Sequence, residues 1–406
     1  MLVDGLISII LPVRNGEKYI RAAINSVFQQ TYPHFELVIV DASDDGTPDI
    51  IASYKDKRIK YYRQKSKGSV NGYNEALDSY ISGKYVTFIH HDDIYYPEKL
   101  YEQVRMIEKF GDVTCVYNDI EFVDDALTTL RIRCHEDYYH RNNDLLAVMM
   151  IGYGISNLGM NVLVKRDFIE KHNLRYSLET PVCCDHAFMF DMIDAGAVFK
   201  HIDKPLLKYR VHEDNYSGDR DIVNRDNLVI YSRYGIEKLR KVVDESNYSE
   251  SEKTVVMGKL YYRLGYIDDG NRFFKEALDR GRNDWAAFYL GTGYYRYQGN
   301  FENAERYLRQ GQEGMPYRAE FANNIGCCVL QTRGVGEAVP YFTEAARLMP
   351  DYYDAKYNLE HAQTGEIFNP RLTDREIEKT EQFAIVWKAA EKQREESGSL
   401  QPAGNL

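Results

Sequence analysis

The chain has 406 residues, of which 44% are hydrophobic and 28% charged, and its 51 Lys+Arg and 62 Asp+Glu residues give a net charge of −11. This composition excludes a collagen-like or wholly disordered chain, and a chain this acidic is not expected to bind the phosphate backbone of nucleic acids. The length suggests two or three domains.

The sequence shows no signal for secretion or membrane insertion. No apolar run approaches the roughly 18 residues of a membrane-spanning helix. The first residues, Met1 to Asp4, lack the positive charge of a secretion signal. Six cysteines without a CxxC spacing are typical of reduced thiols rather than of a disulfide framework or zinc site. We therefore expect a cytoplasmic protein without a transmembrane segment.

The first half of the chain alternates short apolar runs with stretches of helical periodicity. The runs predict strands buried on both faces, and the periodic stretches predict amphipathic helices between them. In chain order the predicted elements are a strand at 6–13, a helix at 17–30, a strand at 35–40, a helix from 47, a strand at 59–62, a helix at 70–79 and a strand at 85–89. This order predicts a mostly parallel sheet that binds ligands at the carboxyl ends of its strands, where the acidic turns 41–45 and 92–93 fall.

From about residue 251 onward the sequence lacks strand signals and repeats with a period of 34 residues. Phe274, Leu308 and Phe342 form one column of the repeat, and columns of small residues and prolines share its period. The pattern resembles the tetratricopeptide repeat, a helix-turn-helix unit of which three copies bury a continuous core. The repeats are predicted at residues 251–283, 284–317 and 318–351, with a capping helix at 354–363.

Five segments of the first half carry a second resemblance. They are ISIILPVRNG at 7–16, SVFQQTY at 26–32, ELVIVDASDDGT at 36–47, FIHHDDIYYP at 88–97 and YRVH at 209–212. They resemble the motifs of a family 2 glycosyltransferase with the GT-A fold, over roughly residues 5–217. The resemblance implies an α/β fold class, with a GT-A-like, mostly parallel sheet followed by an all-α tetratricopeptide-repeat solenoid.

The two resemblances divide the chain into four predicted parts. These are a glycosyltransferase domain at 1–218, a helical linker at 219–250, a repeat domain at 251–365, and a C-terminal helix with a disordered tail at 366–406.

The family resemblance implies a nucleotide-sugar site at the ends of the first two strands. It assigns Asp41 to the base or ribose of the donor and places Pro12, Val13 and Asn15 in the same pocket. Asn74 falls in the loop-to-helix segment that the family places beside the donor. From its position alone, Asp41 can equally cap the turn that follows it.

Asp92 and Asp93 stand in the region of the family's DxD motif. Adjacent carboxylates suit Mn²⁺ or Mg²⁺, which can bridge two phosphates, so the resemblance implies Asp92 as the principal metal ligand and Asp93 as a donor contact. His90 stands where the family has its first aspartate, and we expect it to pack. Arg210 and His212 are assigned to the donor diphosphate and the metal, with a solvated basic turn as the alternative.

An inverting transfer also needs a general base on the face opposite the leaving group. The family takes this base from an acidic pair before a helix, and the matching residues are Cys184 and Asp185, so the resemblance implies Asp185 as the base. Asp185 is also suited to cap the N-terminus of the helix that follows. Cys184 replaces the family's glutamate and is expected, with Cys183, to be a small core residue.

These assignments predict an inverting, metal-dependent glycosyltransferase that moves a sugar from a nucleotide donor, UDP-linked, to a protein, peptide or glycan acceptor. Asn323 and Asn324 in the repeats are predicted to bind the backbone of an extended peptide acceptor, with homo-oligomerisation through the repeats as the alternative. The substitutions at His90 and Cys184 leave open a catalytically lapsed domain that acts as a scaffold. A nucleotidyltransferase is a third possibility, against which the Asp185 segment argues.

Overall fold

The computed structural model describes residues 5–66, 68–151, 161–212, 220–350, 352–364 and 368–373. The chain divides into two compact units, Met1–Ser246 and Asn247–Leu406. Among the described residues, no helix combines the length and the apolar character needed to cross a bilayer. The charged helix predicted at 374–396 and the tail that follows it lie outside the described residues.

The first unit is built on one mixed sheet, which has nine strands within the described part of the chain. The strands are β1 (Ile7–Val13), β2 (Phe35–Asp41), β3 (Ile59–Arg63), β4 (Tyr85–Phe88), β5 (Ile94–Tyr95), β6 (Cys115–Val123), β7 (Thr129–Arg133), β8 (Val162–Lys165) and β9 (Phe199–Arg210). Their order is β3-β2-β1-β4-β8-β6-β9-β5, with β7 paired to β6. The four strands β3, β2, β1 and β4 are mutually parallel, as the sequence predicts.

Helices flank this sheet. They are α1 (Ile20–Phe28), α2 (Thr47–Ala52), α3 (Ser69–Ser79), α4 (Lys99–Lys109), α5 (Asn142–Ile151), α6 (Arg166–Lys171), α7 (Cys184–Asp194), α8 (Arg220–Tyr234) and α9 (Ile236–Asp244). α1 buries residues at helical spacing, among them Ile20, Ile24 and Val27, against the apolar strands. The stretch 219–250, predicted to be a linker, forms α8 and α9 within the first unit.

The parallel register brings the carboxyl ends of the first strands together. Val13 lies opposite Asp41, and Asp41 lies opposite Arg63 on the next strand. On the other side of β1, Ile10 pairs with Phe88 at the end of β4. The turns that follow these strands therefore share one edge of the sheet, where open α/β sheets bind their ligands.

The second unit is all helical over the residues that the structure describes. Its helices are α10 (Glu250–Arg263), α11 (Ile267–Asp279), α12 (Asp284–Gln298), α13 (Phe301–Gln312), α14 (Ala319–Arg333), α15 (Val335–Leu348) and α16 (Tyr353–Thr364). They pack as successive pairs, α10 with α11, α12 with α13 and α14 with α15.

Close packing within each pair explains the 34-residue period. A glycine of the first helix lies against a large residue of the second, so that an added Cβ would come within 2.5–2.8 Å of that side chain. The three contacts are Gly258 with Phe274, Gly291 with Leu308 and Gly326 with Phe342. A side chain on the glycine would force the two helices apart. The repeated columns in the sequence are thus the two sides of one recurring contact.

Candidate active site

A cluster of His90, Asp92 and Asp93 follows strand β4, and one potential ligand atom from each residue lies within 4.8 Å of the others. Asp92 Oδ1 is buried and has no hydrogen-bond partner among the described residues. A buried carboxylate oxygen without a partner is costly unless a cation or donor approaches it. Hard oxygen ligands suit Mg²⁺ or Mn²⁺, so the residues present fit a divalent cation.

The end of strand β9 holds this cluster in place. His212 Nε2 lies 3.0 Å from Asp92 Oδ2. Arg210 donates from its backbone N–H to Asp93 Oδ1 at 3.1 Å and from Nε to the carbonyl oxygen of Asp92 at 3.0 Å. Its Nη1 donates to the carbonyl of Asp125 at 2.7 Å. Arg210 is thus buried among backbone acceptors and fixes the loop that carries the two aspartates.

Burial and mutual charge set the ionisation of the cluster. Burial opposes the charge on Asp92, but His212, His90 and His91 outweigh it and lower the pKa of Asp92 to about 2. Burial raises the pKa of Asp93 to about 6, although His90 opposes the shift. At neutral pH Asp92 therefore carries a full negative charge beside its unpartnered oxygen.

His90, which the sequence analysis expected to pack, interacts electrostatically with the two aspartates. Its Nδ1 lies 3.6 Å from Asp93 Oδ2. Burial lowers the pKa of His90, but the hydrogen bond and charge of Asp93, with the charges of Asp92 and Asp185, raise it to about 9. His90 is therefore an electrostatic member of the cluster.

Asp41 forms a second polar centre at the same edge of the sheet. Its carboxylate is fully buried; Oδ1 accepts the backbone N–H of Ser43 at 2.8 Å, and Oδ2 accepts the Tyr61 hydroxyl at 2.7 Å. Arg63 Nη1 forms an ion pair with Oδ2 while the Arg63 side chain stays 55% exposed. Asp41 thus caps its turn, as one interpretation predicted, and also holds an exposed tyrosine and arginine at the rim.

The other residues predicted to line the donor pocket surround Asp41. Pro12 and Val13 are buried at the end of β1, beside Asp41 in the register. Asn15 follows with a positive φ of 55°, and its Oδ1 accepts the N–H of Asp44 at 3.0 Å. Asn15 therefore joins the turn after β1 to the turn after β2.

Asp185 lies in the first turn of α7, as the second residue of that helix. The N-cap position is Cys183, so the interpretation of Asp185 as the cap is wrong in its geometry. Asp226 of α8 anchors the segment just before the helix, because its buried Oδ2 accepts the N–H groups of Val182 at 2.8 Å and Cys183 at 3.1 Å. Asp185 therefore does not occupy the N-cap position.

The pKa of Asp185 is influenced by the His90–Asp93 cluster. Burial raises the pKa of Asp185 to about 6, while backbone N–H groups and the charge of His90 oppose the shift. Cys184 is buried, and burial raises the pKa of its thiol well above the usual range, as expected of a core residue. The other acids of α7 are engaged elsewhere, Asp191 with Arg233 and Asp194 with Lys238.

Asn74 uses its side chain on the protein itself. Its Nδ2 donates to the carbonyl of Tyr176 at 3.0 Å, and its Oδ1 accepts the Tyr176 N–H at 2.9 Å. The ring of Tyr176 stacks on Tyr73 and Phe188, and no described residue hydrogen-bonds its buried hydroxyl. Asn74 thus anchors the segment that leads toward α7.

Three residues of the site were not predicted. Tyr61 and Arg63 are two residues apart on β3 and therefore lie on the same face of that strand, beside Asp41. The pairing of β2 with β3 could have indicated their contact with Asp41. Asp226 carries no comparable signal, because it lies more than 40 residues after the N–H groups that it binds.

Comparison with known proteins places this geometry in a family. The family model described as Glycosyl transferase family 2 matches residues 8–193. An uncharacterized glycosyltransferase of Rickettsia felis is 28% identical over 234 residues, covering 56% of this chain and 38% of that protein. The Escherichia coli UDP-Glc:alpha-D-GlcNAc-diphosphoundecaprenol beta-1,3-glucosyltransferase WfgD is 36% identical over 124 residues, covering 30% of this chain and 48% of that protein. The chain thus spans less than half the length of both relatives.

Among solved structures, S. aureus TarS 1-349 in complex with UDP-GlcNAc aligns with a TM-score of 0.48 and 16% identity, covering 86% of this chain and 93% of that one. The matched residues 8–193 lie entirely within the first unit and contain β1, the Asp41 turn, the His90–Asp93 cluster and Asp185. The first unit of the chain therefore contains the match to glycosyl transferase family 2, at residues 8–193.

Proposed function

We propose that this protein is an inverting glycosyltransferase that uses a UDP-linked sugar and a divalent cation. One observation supports this most directly: Asp92 is ionised, and one of its carboxylate oxygens is buried without a partner. Asp92 lies at the same edge of the sheet as Asp41. The charges of Asp92 and Asp185 both raise the pKa of His90. A donor binder, a cation ligand and a base with a raised pKa are the groups that such a transfer requires.

Asp41, Tyr61 and Arg63 would bind the nucleotide. The Tyr61 ring is 39% exposed and is held at its hydroxyl end by Asp41, which leaves a flat face for stacking on a base. Arg63 presents an exposed guanidinium that can donate to the ribose or to a phosphate. Pro12, Val13 and Asn15 shape the floor of this pocket.

Asp92 would hold the cation, with His212 fixing its carboxylate, and Asp93 would contact the donor sugar. A bound Mn²⁺ or Mg²⁺ would neutralise charge on the departing nucleoside diphosphate. Arg210 would act on this step by positioning the two aspartates, since its guanidinium lies on backbone carbonyls.

Asp185 would take the proton of the acceptor hydroxyl. As the acceptor oxygen forms its bond to the anomeric carbon, the carbon–oxygen bond to the diphosphate breaks and the configuration inverts. A carboxylate with a pKa of about 6 is still ionised at neutral pH, and it is a stronger base than an ordinary aspartate. Asp226 supports this role by fixing the start of α7.

The acceptor would be a protein, peptide or glycan recruited through the helical repeats. Support for a peptide comes from the inner asparagines of the repeats: Asn323 and Asn324 are buried and hydrogen-bond to peptide backbone, in this structure that of the chain itself. A repeat that binds backbone rather than side chains tolerates many acceptor sequences.

Purified full-length protein tests the proposal against a panel of UDP-glucose, UDP-GlcNAc and GDP-mannose, each with and without Mn²⁺. We expect one UDP-sugar to raise the melting temperature only with Mn²⁺, because a ligand at 100 times its Kd stabilises the fold by about 2.7 kcal/mol. Slow release of UDP should accompany binding. Asp194→Asn, at the far end of α7, should behave as wild type. Donor binding without any UDP release or transfer would instead support the scaffold interpretation.

A further inference from the structure

The inner face of the second unit carries two asparagines at equivalent repeat positions. Asn324 on α14 and Asn358 on α16 are 34 residues apart, the period of the repeats, and both are fully buried. When α12 and α14 are aligned on Gly291 and Gly326, the equivalent position one repeat earlier is Tyr289 on α12. Asparagine side chains at 0% exposure need both a donor and an acceptor partner, so what they bind is informative.

Both asparagines bind the backbone of the chain's own segment 368–373. Asn358 Oδ1 accepts the N–H of Arg371 at 2.7 Å, and its Nδ2 donates to the Arg371 carbonyl at 2.9 Å. Asn324 Oδ1 accepts the N–H of Thr373 at 2.9 Å, and its Nδ2 donates to the Thr373 carbonyl at 2.7 Å. Each carboxamide thus pairs with both polar groups of a single residue.

The spacing of these contacts suits any extended chain. Residues i and i+2 of an extended backbone point their N–H and C=O groups to the same side and lie about 7 Å apart. Packed helices are separated by about 8–10 Å, so consecutive repeats can place one asparagine at every second residue of such a chain. Because only backbone atoms are paired, this part of the contact does not depend on the sequence bound.

Neighbouring side chains hold the two carboxamides in orientation. Asn323 Oδ1 accepts from Asn358 Nδ2 at 2.8 Å, and Asn323 Nδ2 donates to the Arg371 carbonyl at 3.0 Å. Thr292 Oγ1 lies 3.3 Å from Asn324 Nδ2. A polar network of this kind fixes the direction of each amide before a ligand is bound.

The side chains of Arg371 and Thr373 also contact residues of α16 and the residue before it. The Arg371 guanidinium lies 4.6 Å and 4.7 Å from the ring centroids of Tyr353 and Tyr357, within cation–π range. The Thr373 hydroxyl donates to Asp354 Oδ2 at 3.0 Å and contacts the Tyr352 hydroxyl. An extended segment with a basic residue followed, two positions later, by threonine or serine has the groups to form the same contacts.

We propose that Asn324 and Asn358, together with Tyr353, Asp354 and Tyr357, form a peptide-binding groove. Segment 368–373 is the intramolecular occupant of this groove. The groove also accepts extended segments of other proteins that have a basic residue followed, two positions later, by threonine or serine. A tethered segment of six residues competes at an effective concentration in the millimolar range. A weak ligand therefore does not displace the segment, whereas a tightly binding ligand does. Peptide binding in the groove does not depend on the transfer reaction, because the residues that contact the backbone and side chains of the peptide belong to the second unit.

Fluorescence anisotropy with a labelled synthetic peptide of residues 368–373 tests this in the full-length chain. Thr373→Pro removes from the tethered segment the N–H and the hydroxyl that the groove binds, so the labelled wild-type peptide should bind this variant at least about tenfold more tightly than it binds the wild-type chain. Adding Asn358→Leu, which has a similar volume but cannot form the two hydrogen bonds to Arg371, should abolish that gain. Asn369→Ala, an exposed position of the same segment, is the matched control and should bind as wild type does.

Equal peptide affinity of the wild-type and Thr373→Pro chains would overturn the proposal and make the segment a fixed part of the fold. Hydrogen exchange gives an independent measurement on the wild-type chain, should the proline variant fold poorly. We expect the Arg371 and Thr373 amides to exchange through local opening, at least about tenfold faster than the buried amides of α14. Exchange of these two amides at the rate of global unfolding would equally overturn it.

Discussion

Replacing Asp185 by asparagine should slow the enzyme and stabilise its fold at the same time. Burial raises the pKa of Asp185 from 3.8 to about 6, and each pKa unit corresponds to about 1.4 kcal/mol. Ionised Asp185 therefore costs the folded state up to about 3 kcal/mol, and we expect about 2 because the side chain is only partly buried. Asparagine removes this cost but cannot accept a proton, so the rate should fall at least about 10²-fold.

The pH dependence gives the sign of the effect. A pKa raised by folding weakens the fold as pH rises through that value, so the gain from Asp185→Asn should be complete at pH 8 and shrink below about 0.5 kcal/mol at pH 4. Thermal unfolding in EDTA, followed by circular dichroism, should show a melting temperature about 4–8 °C higher at pH 8. Asp194→Asn, which loses only a surface ion pair, should shift stability by less than about 1 kcal/mol at either pH. A lower melting temperature for Asp185→Asn at pH 8 would refute the reasoning and show that the carboxylate supports the helix start.

Three further predictions follow from contacts described above. Asp92→Asn should lose at least about 10²-fold in transfer and the Mn²⁺-dependent part of donor binding, whereas unchanged activity of this variant, or of wild type in excess EDTA, would remove the cation role. Asp226→Ala leaves the two N–H groups just before α7 without their acceptor and should destabilise the protein by about 2–4 kcal/mol in urea unfolding, with a slower rate; a loss under about 1 kcal/mol would contradict its anchoring role. Gly291→Ala should cost about 1–3 kcal/mol because its Cβ would lie 2.8 Å from Leu308, whereas Gly336→Ala, with open space around it, should be neutral or stabilising; similar effects of the two would contradict the packing account.

The sequence predicted the parts of the fold that rest on local pattern. The parallel strands β1 to β4 were indicated by apolar runs, and the helix pairs by a 34-residue period whose physical basis is a glycine facing a large residue. The candidate site was predicted from polar residues at the ends of strands, such as Asp41 and Asp92. Long-range contacts left no pattern to read: the hold of Asp226 on α7 and the ion pair of His90 depend on distances that only the folded chain defines.

The same limit applies to the asparagines of the repeats. Their residue type predicted contact with an extended backbone, and the structure has that contact, but with the chain's own segment. No spacing in the sequence relates Asn324 to Thr373, because the segment returns to the groove after α16 has ended.

The anchoring of α7 by Asp226 bears on where the chain can be cut. The family match stops at residue 193, one residue before the end of α7, while the carboxylate that holds the start of that helix lies 33 positions further on, in α8. An expression fragment trimmed to the family boundary would keep the motifs up to Asp185. It would lose Arg210 and His212, which hold Asp92 and Asp93, and Asp226, which holds the segment before α7. A low transfer rate measured on such a fragment would be caused by the truncation and would not describe the native enzyme. The shortest fragment suited to kinetic work is therefore the whole first unit, which ends at Ser246.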